Sequence, residues 1–183
     1  MKRLTLPFFV AALAGCTPKA AAPVASATGQ TIAVLALHDH LGDDGVETAP
    51  DALAQALDAV ARQRGLQSTP VSGVESLENR RTAAHRLEWL VGQTQGADLL
   101  LLVQTQPRYY SQMGGLYRWT VEVEATIAHP SDPARGETIR FDVPVFLTYD
   151  HEREDAALAA AAPAIARRTA ALLDEWLGGA ATP

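Results

Sequence analysis

The chain has few of the residues on which several functional classes depend. Among its 183 residues there is one cysteine, Cys16, so no second thiol is present to form a disulfide within the chain. Aromatic residues make up 6% of the chain, and the formal net charge is −6 at pH 7. Nucleic-acid binding needs a basic surface, so an acidic chain argues against that class. The fold must therefore rest on an apolar core rather than on covalent cross-links.

The sequence also has no familiar catalytic motif. It contains no GxSxG nucleophile elbow, no SxxK, no Walker loop and no GxGxxG. We therefore expect a protein that is not an enzyme and that uses no cofactor. Because a convergent active site needs no local motif, a metal-dependent hydrolase remains an alternative.

The N-terminal apolar run is too short to cross a membrane. Residues 4–13 span about half of the roughly 20 residues that a transmembrane helix requires. They follow Lys2 and Arg3, and they end in Leu13-Ala14-Gly15-Cys16, the layout of a secretory signal segment. This ending resembles the lipobox of bacterial lipoproteins. The resemblance implies that residues 1–15 are a cleaved signal peptide and that the thiol of Cys16 receives a diacylglycerol.

The residues that follow the cysteine predict a tether. Residues 16–29 are rich in Ala, Pro, Ser and Thr, and they cannot bury a core. Thr17, rather than aspartate, follows the cysteine, which resembles the outer-membrane pattern of Gram-negative lipoproteins. We therefore expect residues 30–183 to form one globular domain on the periplasmic face of the outer membrane, held there by the lipid. In a Gram-positive cell the same chain would lie on the outer face of the only membrane.

Hydrophobic patterning predicts both helices and strands. Residues 31–37 and 97–103 are continuous apolar runs, typical of strands that are covered on both faces. Further predicted elements are helices over 50–65 and 77–94, a weak edge strand over 66–72, and a last helix over 153–177. In this last helix, Pro163 should either cause a kink or mark the true start of the second half. In the second of these helices, Arg80, Arg81, His85 and Arg86 are predicted to lie on a solvated face.

A strict alternation of apolar and polar residues predicts an antiparallel hairpin. It covers residues 117–127 and 138–149, which are joined by a predicted turn over 129–136. The solvent-exposed faces of the two strands carry charges of both signs, so Glu122 and Glu124 are expected to pair with Arg140 across the strands.

Together these elements predict an α/β fold: a mixed sheet with two βαβ-like parallel strands, an antiparallel hairpin meander and packing helices. The element order, with Gly96-Ala97-Asp98 before a Leu/Val run and a long alternating hairpin, resembles the CsgG/LpoB/PelC/TolB-N-terminal-like domain of bacterial lipoproteins. That group comprises curli-secretion lipoproteins, LpoB-type activators of penicillin-binding proteins, the Pel polysaccharide lipoprotein and the N-terminal domain of TolB.

The resemblance implies a non-catalytic interaction or regulatory module of an envelope assembly, such as a peptidoglycan synthase activator. The expected partner is an envelope protein. An alternative is a ring-forming component of a polysaccharide or protein export system, which would make the chain a homo-oligomer.

Two histidines lie where the first predicted strand ends. His38 and His40 would point the same way in an extended strand, and Asp43 follows closely. Two imidazoles and a carboxylate can bind zinc, and the hydrolase alternative depends on this site. His151 would join it only if the fold brings that residue near. The other interpretation is a polar loop that caps the next helix.

Aromatic residues gather in a segment, residues 107–119, that is predicted to be a loop projecting from one end of the sheet. Its candidate partner-binding residues are Arg108, Tyr109, Tyr110, Met113, Tyr117 and Trp119. Alternatively, Tyr109, Tyr117 and Trp119 are strand rims that pack inward. Trp176 on the last helix is a candidate membrane or subunit contact, with a core position as its alternative.

Overall fold

A computed structural model describes residues 29–40, 46–69, 71, 73–77, 82–94, 96–148 and 153–179. The predicted signal peptide, Cys16, nearly all of the tether, Asp43 and His151 lie outside these residues. The strands are β1 (Thr31–Asp39), β2 (Val46–Thr48), β3 (Gln67–Thr69), β4 (Leu99–Met113), β5 (Leu116–His129) and β6 (Asp132–Thr148). The α-helices are α1 (Asp51–Gln63), α2 (Ala83–Gln93) and α3 (Glu154–Gly179), and a short 3₁₀ helix covers Val74–Leu77.

The described strands form a six-stranded mixed sheet with the order β2-β1-β4-β5-β6, and β3 also pairs with β1. Along one edge of β1, its first residues pair with β3 in parallel and its last residues pair with β2 in antiparallel. On the other edge, residues 32–38 pair in parallel with residues 99–105 of β4. The strands β4, β5 and β6 then form an antiparallel meander. The predicted α/β fold with a mixed sheet is thus confirmed.

Helices cover both faces of this sheet. The helices α1 and α3 pack on one face, around a core that includes Leu57, Leu101, Val123 and Ile165. The helix α2 packs on the other face, against β1 and the first part of β4. The connection through α1 leads from β1 to β3 on one edge of β1, whereas β4, on the other edge, continues to β5, so the connections that leave β1 and β4 diverge. In open α/β sheets, ligands bind where such connections diverge, at the carboxyl ends of the strands.

The predicted loop over residues 107–119 is wrong, because these residues continue two strands. The strand β4 extends to Met113 and β5 starts at Leu116, so Gly114 and Gly115 form a two-residue turn. Both glycines have positive φ angles, of 60° and 79°. This backbone fits the twist of paired strands, and glycine adopts it without strain.

The boundaries of two other elements differ from their predictions, and one strand was not predicted. The helix α2 starts at Ala83, where the hydroxyl of Thr82 accepts a hydrogen bond from the backbone of His85. The strand β6 begins at Asp132, so the predicted turn over 129–136 is too long. An edge strand tolerates prolines, because no neighbour needs their missing N–H groups. The short strand β2 was not predicted.

The helix α3 is continuous through Pro163. By length and composition it is the one described helix that is apolar enough to cross a membrane, and half of its apolar stretch is buried within the protein. Leu158, Ile165 and Leu172 belong to the core that it shares with α1 and the sheet. Its apolar character is therefore accounted for by packing on the sheet.

Candidate functional site

Two histidines at the carboxyl end of β1 face the start of α3. His38 Nε2 lies 3.0 Å from Oε2 of Glu154, and His40 Nδ1 lies 2.9 Å from the same oxygen. The two imidazole rings are 4.2 Å apart between centroids. His38 is 2% exposed, whereas His40 and Glu154 are partly exposed. One carboxylate oxygen is therefore shared by two imidazoles at the edge of the core.

The backbone explains this arrangement. Residues two apart in a strand point to the same face, and here that face is the one covered by α3. Glu154 is the first residue of α3, a position where the helix dipole favours a negative charge. On the other side of His40, its Nε2 lies 3.6 Å from Oε2 of Glu47 on β2. His40 thus lies between two carboxylates.

The pKa values of the two imidazoles are shifted in opposite directions. Burial lowers the pKa of His38, the neighbouring His40 lowers it further, and the raising effect of Glu154 is smaller. Burial would lower the pKa of His40 as well, but its hydrogen bond to Glu154 and the charges of Glu154 and Glu47 outweigh burial, and the pKa of His40 is raised. When one proton is added to the pair, it therefore goes to His40.

The residue between the two histidines faces the opposite side of the sheet. The carboxylate of Asp39 accepts hydrogen bonds from both terminal nitrogens of Arg86, at 2.6 and 2.7 Å. Arg86 also donates to Gln104 Oε1 at 2.6 Å, and it is 3% exposed. The prediction that Arg86 lies on a solvated helix face is therefore wrong. The fold tolerates this buried positive charge because the carboxylate of Asp39 balances it.

An open cavity of about 690 Å³ adjoins both groups. It lies between the start of α2, the end of β1 and the polar face of the meander. Its charged lining residues are Asp39, Arg86, Glu122, Glu124, Arg140 and Asp142. Arg140 Nε lies 2.6 Å from Glu124 Oε2, as predicted from the sequence. The predicted pairing of Glu122 with Arg140 is wrong, because Glu122 Oε1 lies 2.8 Å from Arg108 Nε. The cavity carries charges of both signs and lies at the position where open α/β sheets bind ligands.

Large apolar side chains are exposed at the far end of the meander. We call this group the aromatic tip; it consists of Tyr109, Tyr110, Leu116 and Phe146, and these are the exposed large hydrophobic residues among those described. Tyr110 is 69% exposed and Phe146 is 60% exposed. The guanidinium of Arg118 lies 4.8 Å from the centroid of the Tyr110 ring, and Phe146 is the strand partner of Arg118. The tip thus combines aromatic rings with a cation, and Tyr110 lies at an irregularity in the pairing of β4 with β5, between Tyr109 and Ser111.

The structure divides the predicted partner-binding residues into two groups. Arg108, Tyr109 and Tyr110 are exposed, whereas Trp119 is buried and Tyr117 is partly buried. The ring of Tyr109 packs against that of Trp119, with centroids 5.5 Å apart. Tyr117 and Trp119 thus follow the strand-rim alternative, whereas Tyr109 packs against Trp119 and is still 49% exposed. The side chain of Met113 lies outside what the structure describes.

Trp176 is partly buried near the end of α3. It packs against the core below α3, and its ring lies 5.5 Å from that of His129. Its predicted role as a membrane or subunit contact stays a prediction.

Sequence reasoning missed two residues of these groups. Glu154 lies 116 residues after His38, and no local pattern connects them. Phe146 did carry a signal, because it occupies a polar position in the alternation between Val145 and Leu147. A single exposed ring is ordinary, whereas an exposed apolar patch marks an interaction site, so Phe146 is informative because Tyr110 and Leu116 are exposed as well.

Comparisons with known proteins give no family assignment. No protein-family model matches the chain, and no curated protein matches it. Among solved structures, a minor lipoprotein from Acinetobacter baumannii is 11% identical, with a TM-score of 0.41, and the match covers 79% of this chain and 90% of that one. A lipoprotein from Neisseria meningitidis is 18% identical, with a TM-score of 0.41 and coverages of 78% and 99%. A PelC dodecamer from Paraburkholderia phytofirmans is 15% identical, with a TM-score of 0.42 and coverages of 83% and 91%. These values are too low to establish a shared function.

Proposed function

We propose that this chain is a lipid-anchored envelope protein that acts as a non-catalytic interaction or regulatory module, and that it contacts a protein partner through the aromatic tip. The proposed partner is a peptidoglycan synthase or a comparable envelope assembly. The observation that carries the proposal is the exposure of Tyr110 and Phe146 beside Arg118. Tyrosine and arginine are the residue types that most often dominate binding energy in protein interfaces.

The backbone of the tip supports this role. Three hydrogen-bonded strands and a two-residue turn hold its side chains in place, so little conformational entropy is lost when a partner binds. Folding alone does not account for the exposed rings, since the core below them is filled by Trp119, Val121 and Val145. An exposed apolar group on a rigid end of a sheet is typical of a docking surface.

The proposed anchor fits the same role. The lipobox at Leu13-Ala14-Gly15-Cys16 would place a lipid at Cys16, and residues 17–29 would span at most about 45 Å when fully extended. The tip would then act close to the membrane, which we propose is the outer membrane, with the domain on its periplasmic face. Two or more acyl chains are enough for stable attachment.

The direct test is the double substitution Tyr110→Ser and Phe146→Ser. We expect this variant to lose its cross-linked envelope partner and to fail in complementing a deletion strain, while its urea unfolding curve stays that of the wild type. The control is Arg62→Ser, which removes a side chain of α1 that is 66% exposed and remote in sequence from the tip. If the double variant keeps both the partner and complementation, the tip is not the binding surface.

A further inference from the structure

We propose that His38, His40 and Glu154 together bind one Zn²⁺ ion, which links the end of β1 to the start of α3. This inference concerns the face of the sheet that α1 and α3 cover, and it does not depend on the aromatic tip. Its failure would leave the proposed interaction role unchanged.

The geometry of the three side chains is close to that of a zinc site. One imidazole nitrogen from each histidine and one carboxylate oxygen lie within 4.8 Å of one another. Zinc binds such atoms at about 2.0–2.2 Å, so the ligand atoms of a tetrahedral site lie roughly 3.4 Å apart. The two observed nitrogen–oxygen distances are 3.0 and 2.9 Å. Side-chain rotations that widen these two distances by a few tenths of an ångström, and that bring the two nitrogens from within 4.8 Å to roughly 3.4 Å of each other, would admit the ion.

The chemistry of the donors favours zinc over harder cations. Calcium and magnesium prefer sites made only of oxygen, whereas two imidazoles and a carboxylate are a ligand set of zinc. The three protein ligands leave a fourth position for water. Because His38 is buried, the ion would be shielded from solvent on one side.

A second carboxylate strengthens the case. With Nδ1 of His40 directed at Glu154, the other ring nitrogen is directed toward Glu47, with Nε2 3.6 Å from Oε2. Metal-binding histidines usually donate their second N–H to a carboxylate or carbonyl, which fixes the tautomer and orients the ring. Glu47 is placed to take that outer-shell role. The cluster therefore has both a ligand set and an orienting partner.

A bound ion would stabilise the fold, because its ligands come from two elements that are far apart in sequence. His38 lies in β1, His40 directly follows this strand, and Glu154 starts α3, 114 residues after His40. An ion that cross-links these elements stabilises the folded state because the unfolded chain does not hold the three donors together.

The test uses the untagged full-length protein in mild detergent, stripped with a chelator and titrated with zinc chloride by calorimetry. We expect one equivalent of Zn²⁺ per chain, and X-ray absorption at the zinc edge should show two imidazoles with oxygen ligands. His40→Ala and Glu154→Gln should each weaken binding by at least about 10- to 100-fold, the loss caused by removing even an outer-shell partner.

The matched control is His129→Ala, which removes an exposed imidazole that contacts the carbonyl of Asp98 and the ring of Trp176. It should bind zinc as the wild type does. Circular dichroism checks that each variant is folded, and the absorption spectrum of the wild type is informative even if a variant does not fold. The proposal is overturned if the wild type binds no stoichiometric zinc, if its spectrum lacks the two imidazoles, or if folded His40→Ala and Glu154→Gln bind as tightly as His129→Ala.

Discussion

Asp98 shows how one side chain joins two neighbouring strands. Its Oδ2 accepts hydrogen bonds from the backbone N–H of Thr31 at 2.8 Å and from the Thr31 hydroxyl at 3.0 Å. These bonds connect the residue before β4 to the first residue of β1. The Gly96-Ala97-Asp98 turn therefore serves the fold, because its aspartate holds the start of β1 beside the start of β4.

The same hydrogen bonds predict how Asp98 titrates. The backbone and hydroxyl of Thr31 lower the pKa of Asp98 below its ordinary value of 3.8. Because the folded-state pKa is depressed, the stabilisation is complete above pH 3.8 and is lost as the pH falls through the folded-state pKa. In a carbon-13 NMR titration, Thr31→Val should move the pKa of Asp98 part of the way back toward 3.8. Thr138→Val, whose hydroxyl contacts Thr126, should not move it, and an unchanged value in Thr31→Val would refute the assignment.

Asp39 has a larger energetic role, because its partner is buried. Replacing it with alanine removes the carboxylate that balances Arg86, and taking one partner from a buried ion pair costs about 3 kcal/mol. We expect Asp39→Ala to lower the free energy of unfolding by about that amount in urea denaturation. Asp132→Ala breaks the exposed pair with Arg135 and should leave the unfolding curve unchanged. Equal effects of the two substitutions would show that the Asp39–Arg86 pair does not stabilise the fold.

At the scale of elements, the turn between β4 and β5 determines whether the aromatic tip exists as a rigid surface. Gly115 has a φ of 79°, and an alanine residue adopts this backbone angle at a cost of about 1–2 kcal/mol. Gly115→Ala should therefore lower the free energy of unfolding by roughly that amount. Gly114→Asn should be nearly neutral, since Asn-Gly is a favoured pair in such turns. A neutral Gly115→Ala would contradict this assignment of the turn.

The elements also show where sequence reasoning works and where it fails. The alternation in β5 and β6 predicts their pairing, because one face is buried and Glu124 lies opposite Arg140. The second half of β4 gives no such pattern, since Pro107 and a mixture of aromatic and polar residues occupy it. The three-residue strand β2 is too short to produce any period.

The missed contacts have a common physical origin, which is distance along the chain. Arg86 has a polar side chain in a helical pattern, and nothing near it in sequence indicates that Asp39 will neutralise it. Glu154 meets His38 and His40 only because the fold places the start of α3 beside the end of β1. Local patterns predict elements and faces, whereas such clusters depend on tertiary packing.

At the scale of the whole molecule, the described residues place the aromatic tip away from two adjoining features. The histidine–glutamate cluster faces α3, the mixed-charge cavity extends from His40 to the start of α2, and the aromatic tip lies at the far end of the meander. Because the tip lies away from the proposed zinc site, substitutions in one should leave the other intact. The proposed lipid anchor and the tether would hold all three near the membrane.

The measurement that tests the central claim most directly is photo-cross-linking in living cells, with a photoreactive phenylalanine analogue in place of Tyr110. We predict a discrete adduct with one envelope protein, identified by mass spectrometry, and no such adduct when the analogue replaces Arg62 on α1. If Tyr110 gives no adduct beyond that of Arg62, or if it cross-links only to other copies of this chain, the claim that the tip binds a separate protein partner is contradicted.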